Sequence, residues 1–421
     1  MLLNRKALLL VAMTATGSAH ADDFHYVNLL IGDRAAGMGG AYTAVSDDAS
    51  GLFYNPAGIV YAPGSSLSGS MNTFHEATTT YEKALSGEHN WTRHSESLLP
   101  NFFGLVQPLG NGTIGFSYAV PNSIEEDQDQ EFTNIALVGG LTARDFIINF
   151  NNTDKTYNFG PSYAYKINEE LSVGGTLYLH VRQQQRISNV VMVISGDRVW
   201  TNDYFELEEF GVKPVLGLMW SPQKQLAIGA SISKVSLLQS TFTNYQTCVG
   251  ANGITYTASS LCQSGDLLTR EKIVSHDEAE YPLNIRLGAA WFASDALLIS
   301  ADISHNTAHS SGENTRVSVT NVALGTEYYL NPSWALRGGV FTDYANTPEL
   351  QAGITSYNQL ENVDLYGASA SVSHFTRNSS ISLGFTYSVG AGKAQIVGGD
   401  ATLQNVDIES FGISLAASYA Y

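Results

Sequence analysis

Charge is scarce in this chain, and positive charge is scarcer. Only 14% of its 421 residues are Asp, Glu, Lys or Arg, and 21 cations face 39 acids, for a net charge of −18. A chain so short of Lys and Arg lacks the basic footprint that phosphate backbones demand, which excludes a nucleic-acid partner. Cysteine is nearly missing: Cys248 and Cys262 are the only two. The ten histidines are scattered without metal-ligand spacing. There is no serine-nucleophile motif, no phosphate-cradling glycine loop and no Cys/His cluster, so neither an enzyme nor a metal or other cofactor is expected. Long apolar runs are missing too. None approaches the roughly 18 residues that a helical membrane span requires.

Glycine (39) and tyrosine (22) are plentiful instead. Glycine permits tight turns and close backbone approach, and tyrosine suits an interface that is apolar on one side and wet on the other. From about residue 65 onward the sequence breaks into segments with period-2 alternation. In the last one, Phe411, Ile413, Leu415, Ala417, Tyr419 and Tyr421 alternate with Gly412, Ser414, Ala416, Ser418 and Ala420. The segments starting at Leu171 and Ile381 repeat the pattern. Successive strand residues point to opposite faces, so each segment has an apolar face and a small or polar one. Apolar outside and polar inside over about ten residues is the signature of a transmembrane β-barrel. The spacing predicts strands near 65–73, 100–107, 113–121, 155–165, 171–183, 205–220, 226–237, 281–292, 296–305, 316–329, 334–344, 363–376, 380–390 and 407–421. Tight turns such as Leu109-Gly110-Asn111-Gly112 alternate with long connections at 122–154, 184–204 and 238–280. Short turns on one side and long loops on the other mark an outer-membrane barrel. The expected fold is an all-β antiparallel barrel of about 14 strands, in the outer membrane of a Gram-negative cell. Its surroundings are outer-membrane lipid and lipopolysaccharide, and it is expected to be a monomer.

Two segments precede the barrel. Residues 1–21 combine Arg5 and Lys6, the apolar run from Ala7 to Met13, and a small-x-small end at Ala19-His20-Ala21, the three-part pattern of a cleaved secretory leader. Its removal takes two cations and no acids, leaving −20. Residues 22–62 carry no strand pattern. They contain Gly37-Met38-Gly39-Gly40-Ala41-Tyr42, Asp47-Asp48-Ala49-Ser50 and Asn55-Pro56-Ala57-Gly58, a compact stretch placed either in the periplasm or in the lumen as a plug, with the barrel proper from residue 63. These elements resemble the N-terminal hatch of the FadL family, outer-membrane transporters for long-chain fatty acids and aromatic hydrocarbons. The Asn-Pro-Ala hatch motif maps onto Asn55, Pro56 and Ala57. The resemblance implies a fourteen-stranded barrel with its N-terminus inside, an apolar capture surface, an inner pocket and sideways release through a gap beside a kinked strand. A similar start also resembles secretion-associated barrels of the PorV type, which bind protein partners. By resemblance to outer-membrane barrels generally, the terminal aromatic Tyr421 is expected to engage the barrel-assembly machinery.

Hydrophobic small molecules, fatty acids or hydrocarbons, are the expected cargo. External loops are usually polar, so apolar residues in the long connections are candidate contacts. These are Phe146 and Ile148; Val191, Val193 and Trp200; and Leu238 and Phe242. The run Val190–Ile194 reads equally well as two strands extended above the membrane in a hairpin, and residues 135–141 as a short loop helix. Arg182, Lys213 and Arg337 look inward and could meet a carboxylate. The acidic run Glu125-Glu126-Asp127 with Asp129 and Glu131 reads as a solvated loop that could also hold divalent ions. Cys248 and Cys262 share one long connection in an oxidising compartment. A disulfide there would close about 15 residues and stabilise the loop by roughly 3 kcal/mol. Alkylation of the folded protein without reductant should label neither thiol; labelling of both would exclude the bridge.

Overall fold

In a computed structural model the described residues are 24–26, 28–85, 89–136, 142–194, 196–249, 267–271, 281–311, 314–354, 359–396 and 402–421. The expected leader, 1–21, lies outside them, as do Cys262 and with it the expected bridge; Cys248 falls in a strand. The strands are β1 (Ser66–Leu85), β2 (His89–Leu109), β3 (Gly112–Ala136), β4 (Thr142–Lys166), β5 (Leu171–Ile194), β6 (Asp197–Gln223), β7 (Leu226–Ser233), β8 (Ser236–Val249) and β9 (Leu267–Glu271). They continue as β10 (Asn284–Phe292), β11 (Leu297–Asn306), β12 (His309–Ser311), β13 (Asn314–Arg316), β14 (Val319–Asn331), β15 (Trp334–Asp343), β16 (Asn362–Phe375), β17 (Ser379–Ala394) and β18 (Gln404–Ala420).

Fourteen of these close into one antiparallel barrel. The order runs β1 to β7, then β10, β11, β14, β15, β16, β17 and β18, and β18 returns to β1. Closure leaves no terminal strand, as holding a sheet in lipid requires, since stray backbone groups find no water there. The remaining strands lie beyond the wall: β8 pairs with the outer part of β6 and carries β9, and β12 pairs with β13.

The alternation in the sequence becomes the two faces of the wall. In β18, Phe411, Leu415 and Tyr419 are exposed while Gly412 and Ala416 are buried. The lumen face carries buried polar groups such as Ser117, Asn152, Asn158, Glu327, Arg337 and Ser373. Exposed Trp220, Trp291, Trp334 and Tyr419 stand beside the short turns, and exposed Phe74, Tyr366, Tyr387 and Phe411 stand farther along the same wall. The two rings are separated by about eight residues. At about 3.4 Å per residue and a tilt of roughly 40°, that is ~20 Å, close to the height of a lipid-facing band between aromatic girdles.

The short turns fall where the spacing placed them, but the long connections do not. Most of 122–154 and 184–204 is strand, because β3, β4, β5 and β6 run well past the membrane as one continuous sheet. Residues Ile135 and Ala136 belong to β3 rather than to a helix, and 137–141 lie outside the described residues. Beyond the girdle the outer face is largely polar, with Glu125, Asp127, Asp129 and Glu131 on β3 and Asn149, Asn151 and Thr153 on β4, so the apolar alternation fades. Backbone pairing needs no apolar face, and it persists. The expected strand 226–237 is instead broken at Lys234 and Val235, where pairing partners change from β10 to β9.

Candidate functional site

Residues 24–26 and 28–62 fold inside the barrel around a core of Ile31, Met38, Tyr42, Leu52 and Ile59, all fully buried. Short helices at Asp33–Gly37 and Gly51–Tyr54 and a 3-10 turn at Pro56–Tyr61 are joined by glycine-rich bends. Segments this short cannot cover their own backbone, so the wall does. Ser172 donates to the Ala57 carbonyl at 2.8 Å, Thr176 to Leu52 at 2.9 Å, Ser231 to Tyr54 at 2.8 Å and Ser369 to Gly37 at 3.1 Å. Asp302 accepts from the Tyr42 and Thr43 amides at 3.0 and 2.8 Å. The Tyr54 phenol, which burial pushes up to about 12, accepts from the Ile31 amide at 3.2 Å.

The Asn-Pro-Ala element is a joint between hatch and wall. Asn55 Nδ2 donates to the Thr43 carbonyl at 2.8 Å and to the Leu218 carbonyl of β6 at 3.0 Å, while Oδ1 accepts from the Ala57 amide at 3.2 Å. Asn55 thereby caps the 3-10 turn, and Pro56 takes the first turn position, where a missing N–H costs nothing. The close fit needs glycine opposite. A Cβ on Gly217 would overlap the Asn55 side chain, and one on Gly339 would overlap the backbone between Met38 and Gly39. Ion pairs hold the other side. Arg34 grips Glu327 of β14 with both ends of its guanidinium, at 2.7 and 2.6 Å, and also meets Asp47. Burial pushes the Asp47 carboxyl up, and Arg34 beside it pulls it back. Arg337 bonds the same Glu327 at 2.6 Å and lies 3.8 Å from Asp33.

The wall itself is open at one seam. Between β2 and β3, Phe102 pairs with Ala119 and Ser95 with Glu126, but residues 96–101 and 120–125 between those pairs carry no ladder. The shared register sets Pro100 opposite Pro121, and neither proline has an N–H to donate. Next to it, β3 bulges against β4 between Ala119 and Asn122. Farther out only side chains bridge: Gln128 donates to the His94 carbonyl at 3.1 Å and Gln130 to Thr92 at 2.6 Å. The hatch arm lies across the gap. The Leu29 amide donates to the Pro121 carbonyl at 3.1 Å, Asn28 to Asn122 at 2.8 Å, and Asn101 to the Leu30 carbonyl at 3.0 Å. A cavity of about 100 Å³ adjoins both arm and seam, with Leu29, Leu30, Ser95 and Ile124 in its lining.

The candidate contacts separate into three groups. Phe146 and Ile148 are not in a loop. They point inward from β4 and join Tyr81, Trp91, Phe150, Val190, Met192, Val363 and Val406 in an apolar roof across the barrel mouth. Val191 and Trp200 oppose each other across β5 and β6 on the outward face, with Val193 on the same side, so none of the three lines the lumen. This is the hairpin reading of that run. Leu238 is exposed on β8, and Phe242 packs edge-on against Phe205 at 5.3 Å. Arg182 and Arg337 do face inward, but each is already engaged by acid. Arg182 bonds Asp154 at 2.7 Å with Glu209 at 4.0 Å, and Arg337 bonds Glu327. A buried guanidinium requires such a partner. Lys213 lies 5.2 Å from the Phe53 ring of the hatch. Glu126 is not solvated: it is buried in an ion pair with Arg93 at 2.7 Å, whereas Glu125, Asp127, Asp129 and Glu131 are exposed on strand β3. Sequence reasoning did not reach Arg34 with Glu327, or the facing prolines. The prolines had a signal, since two of the expected strands began and ended on them.

A hatched, fourteen-stranded barrel with a side seam defines the class, an outer-membrane channel. The comparisons with known proteins agree. Residues 12–419 match the model of the family described as "Outer membrane protein transport protein (OMPP1/FadL/TodX)", so the chain belongs to that family, whose members are non-enzymatic channels for hydrophobic compounds in the outer membrane. Solved structures share the fold at low identity. A Pseudomonas aeruginosa FadL homologue matches at 15% identity with a TM-score of 0.63, over 94% of this chain and 99% of its own. The Pseudomonas putida toluene transporter TodX matches at 16% and 0.62, over 94% and 100%. The Ralstonia pickettii toluene transporter TbuX matches at 16% and 0.58, over 94% and 99%. No curated protein sequence matches the chain.

Asn55→Ala removes both Nδ2 bonds and the cap, a local loss of about 1–3 kcal/mol where the freed groups stay buried. Amide hydrogen exchange should accelerate across residues 43–61 while the heat-modifiable barrel band is unchanged. Unchanged exchange would show that Asn55 is not the joint.

Proposed function

We propose that this chain takes up small hydrophobic compounds passively, receiving them at the apolar roof, holding them in the cavity above the hatch, and releasing them sideways through the β2/β3 seam. One observation carries the reading: the same cavity touches the hatch arm at Leu29 and Leu30 and the seam at Ser95 and Ile124. A molecule there has wall on most sides and an unlatticed gap on one. The hatch blocks the straight path toward the periplasm, so moving the arm off Pro121 opens a route into lipid without opening a water pore. An apolar compound gains by that route, because it passes from roof to bilayer without crossing bulk water.

Aromatic roof residues suit capture. Trp91 stacks on Tyr81 at 5.1 Å and meets Phe150 edge-on at 6.2 Å. The outer faces of the wall would sit in lipid and, farther out, in lipopolysaccharide. The fourteen-stranded wall has no terminal strand for a second copy to extend, which favours a monomer. Tyr421, exposed at the end of the last strand, is the proposed contact of the assembly machinery.

The register across the seam sets Ser97 opposite Ile124. In a Ser97→Cys, Ile124→Cys variant, a reducible bifunctional thiol reagent should staple the gap. Uptake of a hydrophobic dye by cells should then fall to the rate of cells lacking the protein and recover on reduction. Undiminished uptake after stapling would overturn sideways release.

A further inference from the structure

Two cavities lie against the hatch, one of about 100 Å³ on the seam side and one of about 50 Å³ between the hatch and the wall from β10 to β15. Among the described residues, three line both: Leu29 and Leu30 of the arm, and Phe341 of β15. Phe341 is therefore the wall's share of the partition between them. The strand register sets its neighbours. A row across the lumen face runs Ala323, Phe341, Gly367, Ser388, Ser410 and Ala77, from β14 through β18 to β1. Only Phe341 in that row is large. The small side chains leave the space that the cavities occupy: Ala323 lines the smaller one, and Ser388, Ser410 and Ala77 line the larger.

The Phe341 ring lies over Gly367, where an added Cβ would overlap the tip of the ring. Glycine inside a strand commonly marks such a close approach. Two residues earlier on β15, Gly339 touches the backbone of Met38 and Gly39, which holds this strand against the hatch. The ring, rather than the backbone, thus sets the boundary between the two spaces. Resting on the channel reading above, we infer that Phe341 sets the length of cargo the channel accepts. A compound that fits the seam-side cavity leaves the ring seated on Gly367. A longer one must displace the ring to reach the second cavity, and it loses the packing of ring on glycine in doing so. Truncating Phe341 joins the two spaces. A methyl group on Gly367 acts the other way, because it lifts the ring off the wall into the lumen.

The test measures uptake of radiolabelled ethylbenzene and nonylbenzene, the same ring with a short or a long tail, by cells making the full-length protein. Rates in cells lacking the protein are subtracted, and heat-modifiable migration confirms that each variant folds. Phe341→Ala should raise the ratio of nonylbenzene to ethylbenzene uptake at least about tenfold, the discrimination a pocket gains from a methylene it cannot hold. Gly367→Ala should lower the ratio. Phe341→Leu, a smaller truncation that should raise the ratio by less, carries the test if the alanine variant does not fold. An unchanged ratio in the truncated variant, including a rise of both rates alike, would overturn the inference while leaving the channel reading standing. Absence of protein-dependent uptake of either compound by the unaltered protein would overturn both.

Discussion

In lipid, a backbone N–H or C=O without a partner is expensive, and the whole molecule is arranged around that constraint. Fourteen strands closed on themselves satisfy it almost everywhere. It fails at one stretch of wall, where Pro100 faces Pro121 and no ladder can form. The defect is met from inside: Leu29 donates to the carbonyl of Pro121, and Asn28 to the side chain of Asn122. The arm of the hatch is thus a substitute partner for the strand. A wall with a complete ladder would seal the lumen but offer no exit into the bilayer.

The hatch is held by two kinds of bond with different strengths. Its body is fixed by the bidentate Arg34–Glu327 pair, by Asn55 on the Leu218 carbonyl and by glycines that let backbone touch backbone. Buried charge pairs and satisfied amides are stiff, since breaking one leaves a desolvated group behind. The arm, by contrast, reaches the seam through a few single bonds. On the proposed route, cargo would displace only the arm and leave the body in place.

Much of this was legible in the sequence. The period-2 pattern in segments such as 171–183 and 407–421 located the membrane part of the wall, because lipid demands an apolar outer face there. The short turns were readable from their glycines and asparagines, and the Asn55-Pro56-Ala57 element from its resemblance to a known hatch. The outer halves of β3 to β6 were not readable as strands, because outside the membrane nothing forces alternation. Nor could every charge partner be read from local sequence. Asp33 reaches Arg337 only once the chain has folded, whereas Glu327 and Asp154 meet Arg337 and Arg182 across hairpins. The roof containing Phe146 and Ile148 likewise draws on strands from both ends of the chain.

The claim on which the rest depends is that residues 24–62 close the lumen of an otherwise open barrel. Single-channel conductance in planar bilayers tests it most directly, on a protein that keeps residues 1–23 but lacks residues 24–62. A fourteen-stranded wall without its hatch should hold a continuous water path, so conductance should rise from near zero to that of a stable open pore. If the shortened barrel folds and conducts no better than the full chain, the lumen is closed by something else, and the account of hatch and seam fails.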